Sequence, residues 1–165
     1  MNENIKRLCL SSMFAALTFA VTRFIQIPIP LGYLNFGNCI ILLGCCFLPC
    51  RYAAAAGALG SALADLTSFP IYTVPTLIIK AVMPLAFFAL LKAPVKNNYL
   101  KHIIAAAVST LVPLAGYTAA GAVFYGGFAA GLAQVPGLIA EYFANLALFA
   151  LMLIQVIRRK IRIEQ

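Results

Sequence analysis

Six long apolar runs, separated by short polar or basic connections, are the feature that most constrains this fold. They cover residues 8–27, 36–50, 52–69, 74–91, 103–124 and 133–157. A membrane-spanning helix needs about 20 mostly apolar residues, and 64% of the 165 residues are hydrophobic whereas 10% are charged. The runs lack the alternating pattern of a membrane barrel. The sequence therefore predicts an all-α protein, one domain over residues 1–165, with six transmembrane helices.

Most basic residues lie at the ends of the chain or in alternate connections between these runs. Ten of them lie at the N-terminus, between the second and third runs, between the fourth and fifth, and at the C-terminus: Lys6, Arg7, Arg51, Lys92, Lys96, Lys101, Arg158, Arg159, Lys160 and Arg162. The other connections have no Lys or Arg. The positive-inside rule then predicts a multi-pass plasma-membrane protein with both termini in the cytoplasm. Because the net charge of +8 is scattered over short loops, nucleic acid is not an expected partner.

Four charged side chains interrupt the apolar runs: Arg23, Asp65, Lys80 and Glu141. A charge at the centre of a membrane span costs roughly 2.5–3.5 kcal/mol on insertion scales, so such residues are usually functional. In the orientation above, all four lie in the outer halves of their helices and their charges sum to zero. They are either buried ion pairs that hold the bundle together or the polar groups of a ligand cavity open to the outside. Arg23 is the weaker candidate because it can extend to the membrane surface.

Tyrosines and amides of the outer loops and of the apolar runs complete the expected lining of such a cavity. Asn35 in the first outer loop is equally well explained as a turn residue and as a ligand contact. Gln134 is interpreted as a polar group at the membrane interface. The candidate ligand-binding residues are Tyr33, Asn35, Asn38, Asp65, Tyr72, Lys80, Tyr117, Glu141 and Asn145.

Small residues at four-residue spacing predict close helix packing. In the third run they form two rows, one ending at Asp65 and the other comprising Ala56, Gly60 and Ala64. In the first run, Ser12, Ala16 and Ala20 form a similar stripe. That stripe has two possible roles, packing within the bundle or docking on a second membrane protein.

Several functional classes lack their required residues. The sole histidine, His102, is placed in a cytoplasmic loop, so a serine hydrolase has no base and a histidine-based metal site is not expected. The five cysteines are odd in number, and four of them fall in residues 39–50, so they are interpreted as small packing residues rather than as disulfides. A phosphate-binding loop ending in Gly-Lys-Ser/Thr is absent. The protein is therefore not expected to be an enzyme or to carry a cofactor.

Three stretches resemble the substrate-binding (S) components of energy-coupling factor (ECF) vitamin transporters. They are GYLNFGN at residues 32–38, GALGSALAD at 57–65 and PTLIIK at 75–80. They look most similar to the riboflavin-type and the hydroxymethylpyrimidine- or pyridoxine-type branches. The stripe of Ser12, Ala16 and Ala20 is similar to the alanine stripe by which such proteins dock on their coupling subunit.

The resemblance implies a six-helix fold and an external pocket beneath the first two outer loops. It implies a small vitamin as ligand, with a transmembrane coupling subunit and two ATPases as partners in the lipid membrane. Asn38 departs from the aspartate of many relatives, which weakens any substrate assignment based on charge. The residues alone leave two alternatives: a six-helix scaffold of a cell-shape complex, and a solitary ion-coupled transporter.

Overall fold

The computed structural model describes residues 3–29 and 32–158, which form a helical bundle with one short β-hairpin. Residues 159–165, and with them Arg159, Lys160 and Arg162 of the basic C-terminus, lie outside the described ranges. The elements in chain order are α1 (Glu3–Phe24), β1 (Gln26–Ile29), β2 (Gly32–Asn35), α2 (Gly37–Phe47), α3 (Cys50–Ser68), a 3₁₀ turn (Pro70–Tyr72), α4 (Thr73–Leu90), α5 (Asn98–Ser109), α6 (Leu111–Phe124) and α7 (Phe128–Arg158).

Four helical segments within the described ranges are long and apolar enough to cross a membrane. They are Glu3–Phe24, Pro70–Leu90, Asn98–Phe124 and Phe128–Arg158. The remaining two predicted runs form α2, which has only 11 residues, and α3, whose 19 residues are rich in alanine and glycine. The helical class is confirmed, and six complete membrane crossings stay a prediction.

The connection between α1 and α2, expected to be an outer loop, forms a β-hairpin that was not expected from the sequence. The antiparallel strands pair Gln26 with Asn35 and Ile29 with Gly32. α1 ends at Phe24, three residues before the predicted end. Pro28 is tolerated because a two-stranded hairpin consists of edge strands, which need not donate every backbone N–H.

The fifth predicted helix is interrupted at Thr110, between α5 and α6. Pro113 lacks an N–H and its ring clashes with the carbonyl four residues earlier, which disfavours continuous helical hydrogen bonding. The hydroxyl groups of Ser109 and Thr110 donate to the carbonyl of Ala106 at 3.1 and 2.7 Å. The break is therefore accommodated without leaving these hydroxyl groups unpaired.

His102 lies in α5 and not in a loop, so that placement was wrong. α5 begins earlier than expected because the Asn97 side chain accepts a hydrogen bond from the Leu100 N–H at 3.2 Å and caps the helix. His102 is 1% exposed, with its ring centroid 6.1 Å from that of Phe87. It belongs to the packed interior of the bundle.

α2 lies at the centre of the molecule. Nine of its 11 residues are buried, and it contributes to an apolar core that also includes Phe14, Phe87 and Phe149. Cys39, Cys45 and Cys46 are free and buried in this core, as expected for small packing residues. Cys9 and Cys50 are also free, but Cys9 is exposed and Cys50 is half-buried.

The two small-residue rows of α3 are buried, which confirms the predicted close packing. α3 packs against both α1 and α4. At Gly60 an added Cβ would collide with the carbonyl oxygen of Ala15 on α1 and come within 3.0 Å of Thr18 Cβ. This tight contact fixes α3 in the bundle, and Asp65 lies near the C-terminal end of α3.

Candidate functional site

A small polar cavity lies beneath the hairpin. It has a volume of about 40 Å³, room for one or two water molecules, whereas sites for small organic ligands usually measure about 300–1,000 Å³. Its walls come from the hairpin, α3, the 3₁₀ turn, α6 and α7. The lining residues are Ile29, Gly32, Tyr33, Asn35, Asp65, Phe69, Tyr72, Tyr117, Gln134, Leu138 and Glu141.

Asp65 is the centre of a hydrogen-bond network on one wall. Its carboxylate accepts hydrogen bonds from the hydroxyl groups of Tyr33 and Thr76, and the Thr76 hydroxyl lies 3.0 Å from that of Tyr117. Burial, reinforced by Asp65, raises the pKa of Tyr33 well above its ordinary value. The Tyr33 hydroxyl is therefore a donor that fastens the hairpin to α3.

Lys80 and Glu141 are connected through an amide rather than by direct contact. Lys80 Nζ donates to Asn38 Oδ1, and Asn38 Nδ2 donates to Glu141 Oε1 at 3.0 Å. Lys80 is 1% exposed, and its Nζ also lies 5.4 Å from the centroid of the Tyr117 ring, a cation–π contact. Asn38 thus bridges the two opposite charges. Lys80 and Glu141 are the polar partners that an amide inside an apolar run requires.

Asn35 and Asn145 hold the hairpin on the helices. Asn35 Oδ1 accepts from the Gly37 N–H at 2.9 Å, and the Asn35 carbonyl accepts from Asn145 Nδ2 at 2.8 Å. Asn145 Oδ1 in turn accepts from the Cys39 N–H at 2.9 Å. These bonds join β2, α2 and α7 directly behind the cavity.

Aromatic rings form the rim next to the 3₁₀ turn. The Tyr72 ring centroid lies 6.1 Å from that of Tyr117 and 5.7 Å from that of Phe124. Tyr33 and Phe69 pack with their centroids 5.8 Å apart. Such surfaces suit a flat apolar ring with polar substituents.

The structure brings the nine candidate residues into one connected region, in two layers. The cavity is lined by Tyr33, Asn35, Asp65, Tyr72, Tyr117 and Glu141. Asn38, Lys80 and Asn145 lie behind these residues, where the hydrogen bonds above occupy them. Arg23 is partly exposed in the last turn of α1 and does not line the cavity.

Three lining or supporting residues were not among the candidate ligand-binding residues: Thr76, Phe69 and Gln134. Gln134 is 2% exposed and faces the interior of the bundle near the start of α7, and its position at the membrane interface stays a prediction. A signal was present, because Gln134, Leu138, Glu141 and Asn145 follow helical spacing and all are buried on α7. Extending the stripe backwards from Glu141 finds Gln134.

The stripe on α1 faces outward. Ser12 and Ala16 are exposed and Ala20 is half-buried, while the buried residues of α1 are Ser11, Phe14, Thr18 and Thr22. The stripe is therefore available to a partner, and its docking role stays a prediction.

The described chain is thus a helical protein with four segments long and apolar enough to cross a membrane, and it has a small cavity lined by polar and aromatic side chains. A family model described as "ECF-type riboflavin transporter, S component" matches residues 2–159, so the chain belongs to this family of transporter components and is not an enzyme. The chain is therefore an S component, the class that binds a vitamin and works with a coupling subunit and ATPases.

A solved structure and a curated protein are also similar to the chain. The structure, described as the S component of a bacterial ECF transporter, covers 98% of this chain and 100% of its own, with a TM-score of 0.73 and 23% identity. At that identity the similarity shows the fold. An uncharacterised protein of Pyrococcus woesei is 33% identical over 107 residues, which cover 64% of this chain and 71% of that protein.

Proposed function

We propose that this S component captures riboflavin, or a closely related heteroaromatic vitamin, on the outer side of the plasma membrane. The observation that most directly supports this proposal is the cavity beneath the hairpin, which is lined by Asp65, Glu141 and aromatic side chains. Carboxylates accept hydrogen bonds from N–H and O–H groups, and tyrosines pack on the faces of a flat ring. The family name supports riboflavin as the ligand.

The spacing of polar groups along α7 favours an elongated ligand. Gln134 and Glu141 both line the cavity, with Leu138 between them. They are seven positions apart, which corresponds to about 10.5 Å along a helix axis at about 1.5 Å per residue. A fused-ring vitamin with polar groups at its two ends matches this arrangement better than a single ring does.

The second candidate is a single-ring vitamin of the pyridoxine or hydroxymethylpyrimidine type. The cavity volume of about 40 Å³ favours it, because a smaller ligand requires less displacement of the hairpin. Either ligand requires the cavity to widen. The hairpin is held to α3 by the Tyr33–Asp65 bond and by Gln26 Nε2, which donates to Ser68 Oγ at 3.1 Å.

In the proposed ligand site, the six lining candidates contact the vitamin. Asn38, Lys80 and Asn145 support them from behind, Asn38 by bridging Lys80 and Glu141 and Asn145 by holding the hairpin. Their role is to keep Glu141 and Asn35 in place while the ligand exchanges.

The proposed membrane arrangement has six crossings with both termini in the cytoplasm. The distribution of Lys and Arg over alternate connections supports it. Exposed apolar side chains such as Leu59, Leu63 and Ile78 would contact lipid. The outward stripe of Ser12, Ala16 and Ala20 is the proposed contact with the transmembrane coupling subunit, whose two ATPases supply the energy.

Mass spectrometry of small molecules released from the detergent-purified protein tests the function. We expect riboflavin at close to one equivalent, or a pyridoxine-type vitamin if the second candidate is correct. Affinity purification from its native membrane should also recover an ATPase-bearing partner. Uptake of the vitamin by cells that contain this chain but lack any such ATPase would instead support solitary ion-coupled transport. A purified protein that has neither a bound ligand nor an ATPase partner would support the scaffold alternative.

A further inference from the structure

Gln134 carries an unused hydrogen-bonding group at the wall of the cavity. It lies in the second turn of α7 and is 2% exposed. Its Oε1 accepts a hydrogen bond from the Tyr72 hydroxyl at 3.4 Å, whereas its Nε2 has no hydrogen-bond partner in the described ranges. A primary amide nitrogen has two hydrogens to donate, so Gln134 retains its whole donor capacity.

The other lining side chains of the network have their hydroxyl groups engaged. Tyr33 donates to Asp65, Tyr72 to Gln134, and Tyr117 interacts with Thr76. Among cavity-lining residues in the described part of the chain, only Gln134 has a buried side-chain polar atom without a partner. Because native proteins pair nearly all buried polar groups, this atom requires an explanation.

The local packing is arranged around the Gln134 amide. Gly121 on α6 is buried, and a Cβ added there would collide with Gln134 Nε2. The absence of a side chain at position 121 therefore gives the amide its space. On the other side, Gly32 of the hairpin would bring an added Cβ to 4.0 Å from Gln134 Oε1, so the amide lies between α6 and the hairpin.

We propose that Gln134 is a specificity-determining residue that donates from Nε2 to a hydrogen-bond acceptor of the vitamin, a ring carbonyl or an unprotonated ring nitrogen. This inference rests on the proposed function and adds the chemistry that the carboxylates do not supply. Ionised Asp65 and Glu141 can only accept hydrogen bonds. Gln134 provides the complementary donor, so the cavity selects a ring that carries an acceptor at one end and N–H or O–H donors at the other.

The test is a riboflavin titration of the purified protein, followed by quenching of flavin fluorescence, with the variants Gln134→Met and Gln134→Glu. Met has a similar length and no donor, and Glu keeps the shape of Gln but presents only acceptors when ionised. We expect Gln134→Met to weaken binding about three- to ten-fold, the effect of one lost hydrogen bond, and Gln134→Glu to weaken it further because two acceptors then face each other. Gln155→Met is the matched control, since Gln155 is exposed on the same helix.

The melting temperature of the ligand-free protein separates this role from a structural one. Gln134→Met removes an Nε2 that makes no hydrogen bond in the described structure and an Oε1 whose hydrogen bond from Tyr72 is long, at 3.4 Å. It should therefore change the melting temperature little, while binding weakens. A lowered melting temperature with unchanged affinity would show that Gln134 is structural and would overturn the inference.

The proposed function and this inference fail in different ways. A wild-type protein that binds neither riboflavin nor pyridoxine contradicts the proposed function and removes the basis of the inference. If the wild-type protein binds one of these vitamins and both Gln134 variants bind it with the affinity of the wild type, the inference alone is contradicted.

Discussion

At the level of single residues, the intramembrane charges were the most informative sequence signal, because a charge inside an apolar run is rare and expensive. They led to Asp65 and Glu141, which line the cavity. The same signal could not separate them from Lys80, which lies behind the cavity and bonds to Asn38. Uncharged polar residues such as Gln134 and Thr76 gave no comparable signal, since their placement depends on which face of a helix is buried.

Lys80→Met should destabilise the protein rather than remove a ligand contact. Lys80 is 1% exposed, and its loss leaves the Asn38 carbonyl oxygen without its donor and Glu141 without a nearby counter-charge. Removing one partner from a buried charged pair costs about 3–5 kcal/mol. We expect a clear fall in the thermal unfolding midpoint of the detergent-purified protein.

A second substitution tests the connection of Lys80 to Glu141 through Asn38. Adding Glu141→Gln to Lys80→Met removes the unbalanced charge and should recover part of the lost stability, a non-additive effect expected for coupled residues. Lys92→Met, an exposed position between α4 and α5, is the control and should be neutral. Additive losses in the double variant would show that Asn38 does not couple the two charges.

At the level of elements, the helices could be predicted from apolar runs, whereas the hairpin and the break at Thr110 could not. Each strand has only four residues, and Pro28 argues against a strand in any local analysis. The break depends on Thr110 bonding back to Ala106, which the position of Pro113 suggests but does not determine. Small-residue rows were predictable because close helix approach admits few side chains.

Gly60→Ala should be more destabilising than Gly44→Ala. The new methyl group at position 60 would meet the backbone carbonyl of Ala15, which cannot move alone, whereas at position 44 it would meet the Phe14 ring at 3.3 Å, which can shift slightly. Overpacking typically costs about 1–3 kcal/mol. Thermal unfolding of the two variants in the same detergent measures the difference, and equal midpoints would contradict the packing of α1 on α3.

At the level of the whole molecule, membership of the S-component family follows from a match over residues 2–159. The three sequence stretches that carried the resemblance fall on the hairpin and the start of α2, on α3, and on α4, the elements that surround or support the cavity. The ligand was not predictable in the same way. In the proposed site, its identity depends on how far the cavity of about 40 Å³ widens when the ligand binds.

Cysteine labelling tests the orientation in the membrane. In a variant whose native cysteines are replaced by alanine, we expect Lys96→Cys to react with an impermeant maleimide only after the cells are opened. Phe128→Cys, an exposed position at the start of α7, should react in intact cells. The opposite pattern, or equal labelling of both positions, would contradict cytoplasmic termini.

The central claim, that a vitamin binds in the cavity at Asp65, is tested most directly by calorimetric titration of the purified protein with riboflavin. The account predicts saturable binding at one equivalent. It also predicts that Asp65→Ala reduces affinity about ten-fold or more, since hydrogen bonds to charged groups contribute about 1.5–3 kcal/mol. Glu3→Ala, which removes an exposed carboxylate at the start of α1, should bind as the wild type does. Saturable binding that a folded Asp65→Ala variant retains at full affinity would contradict the claim.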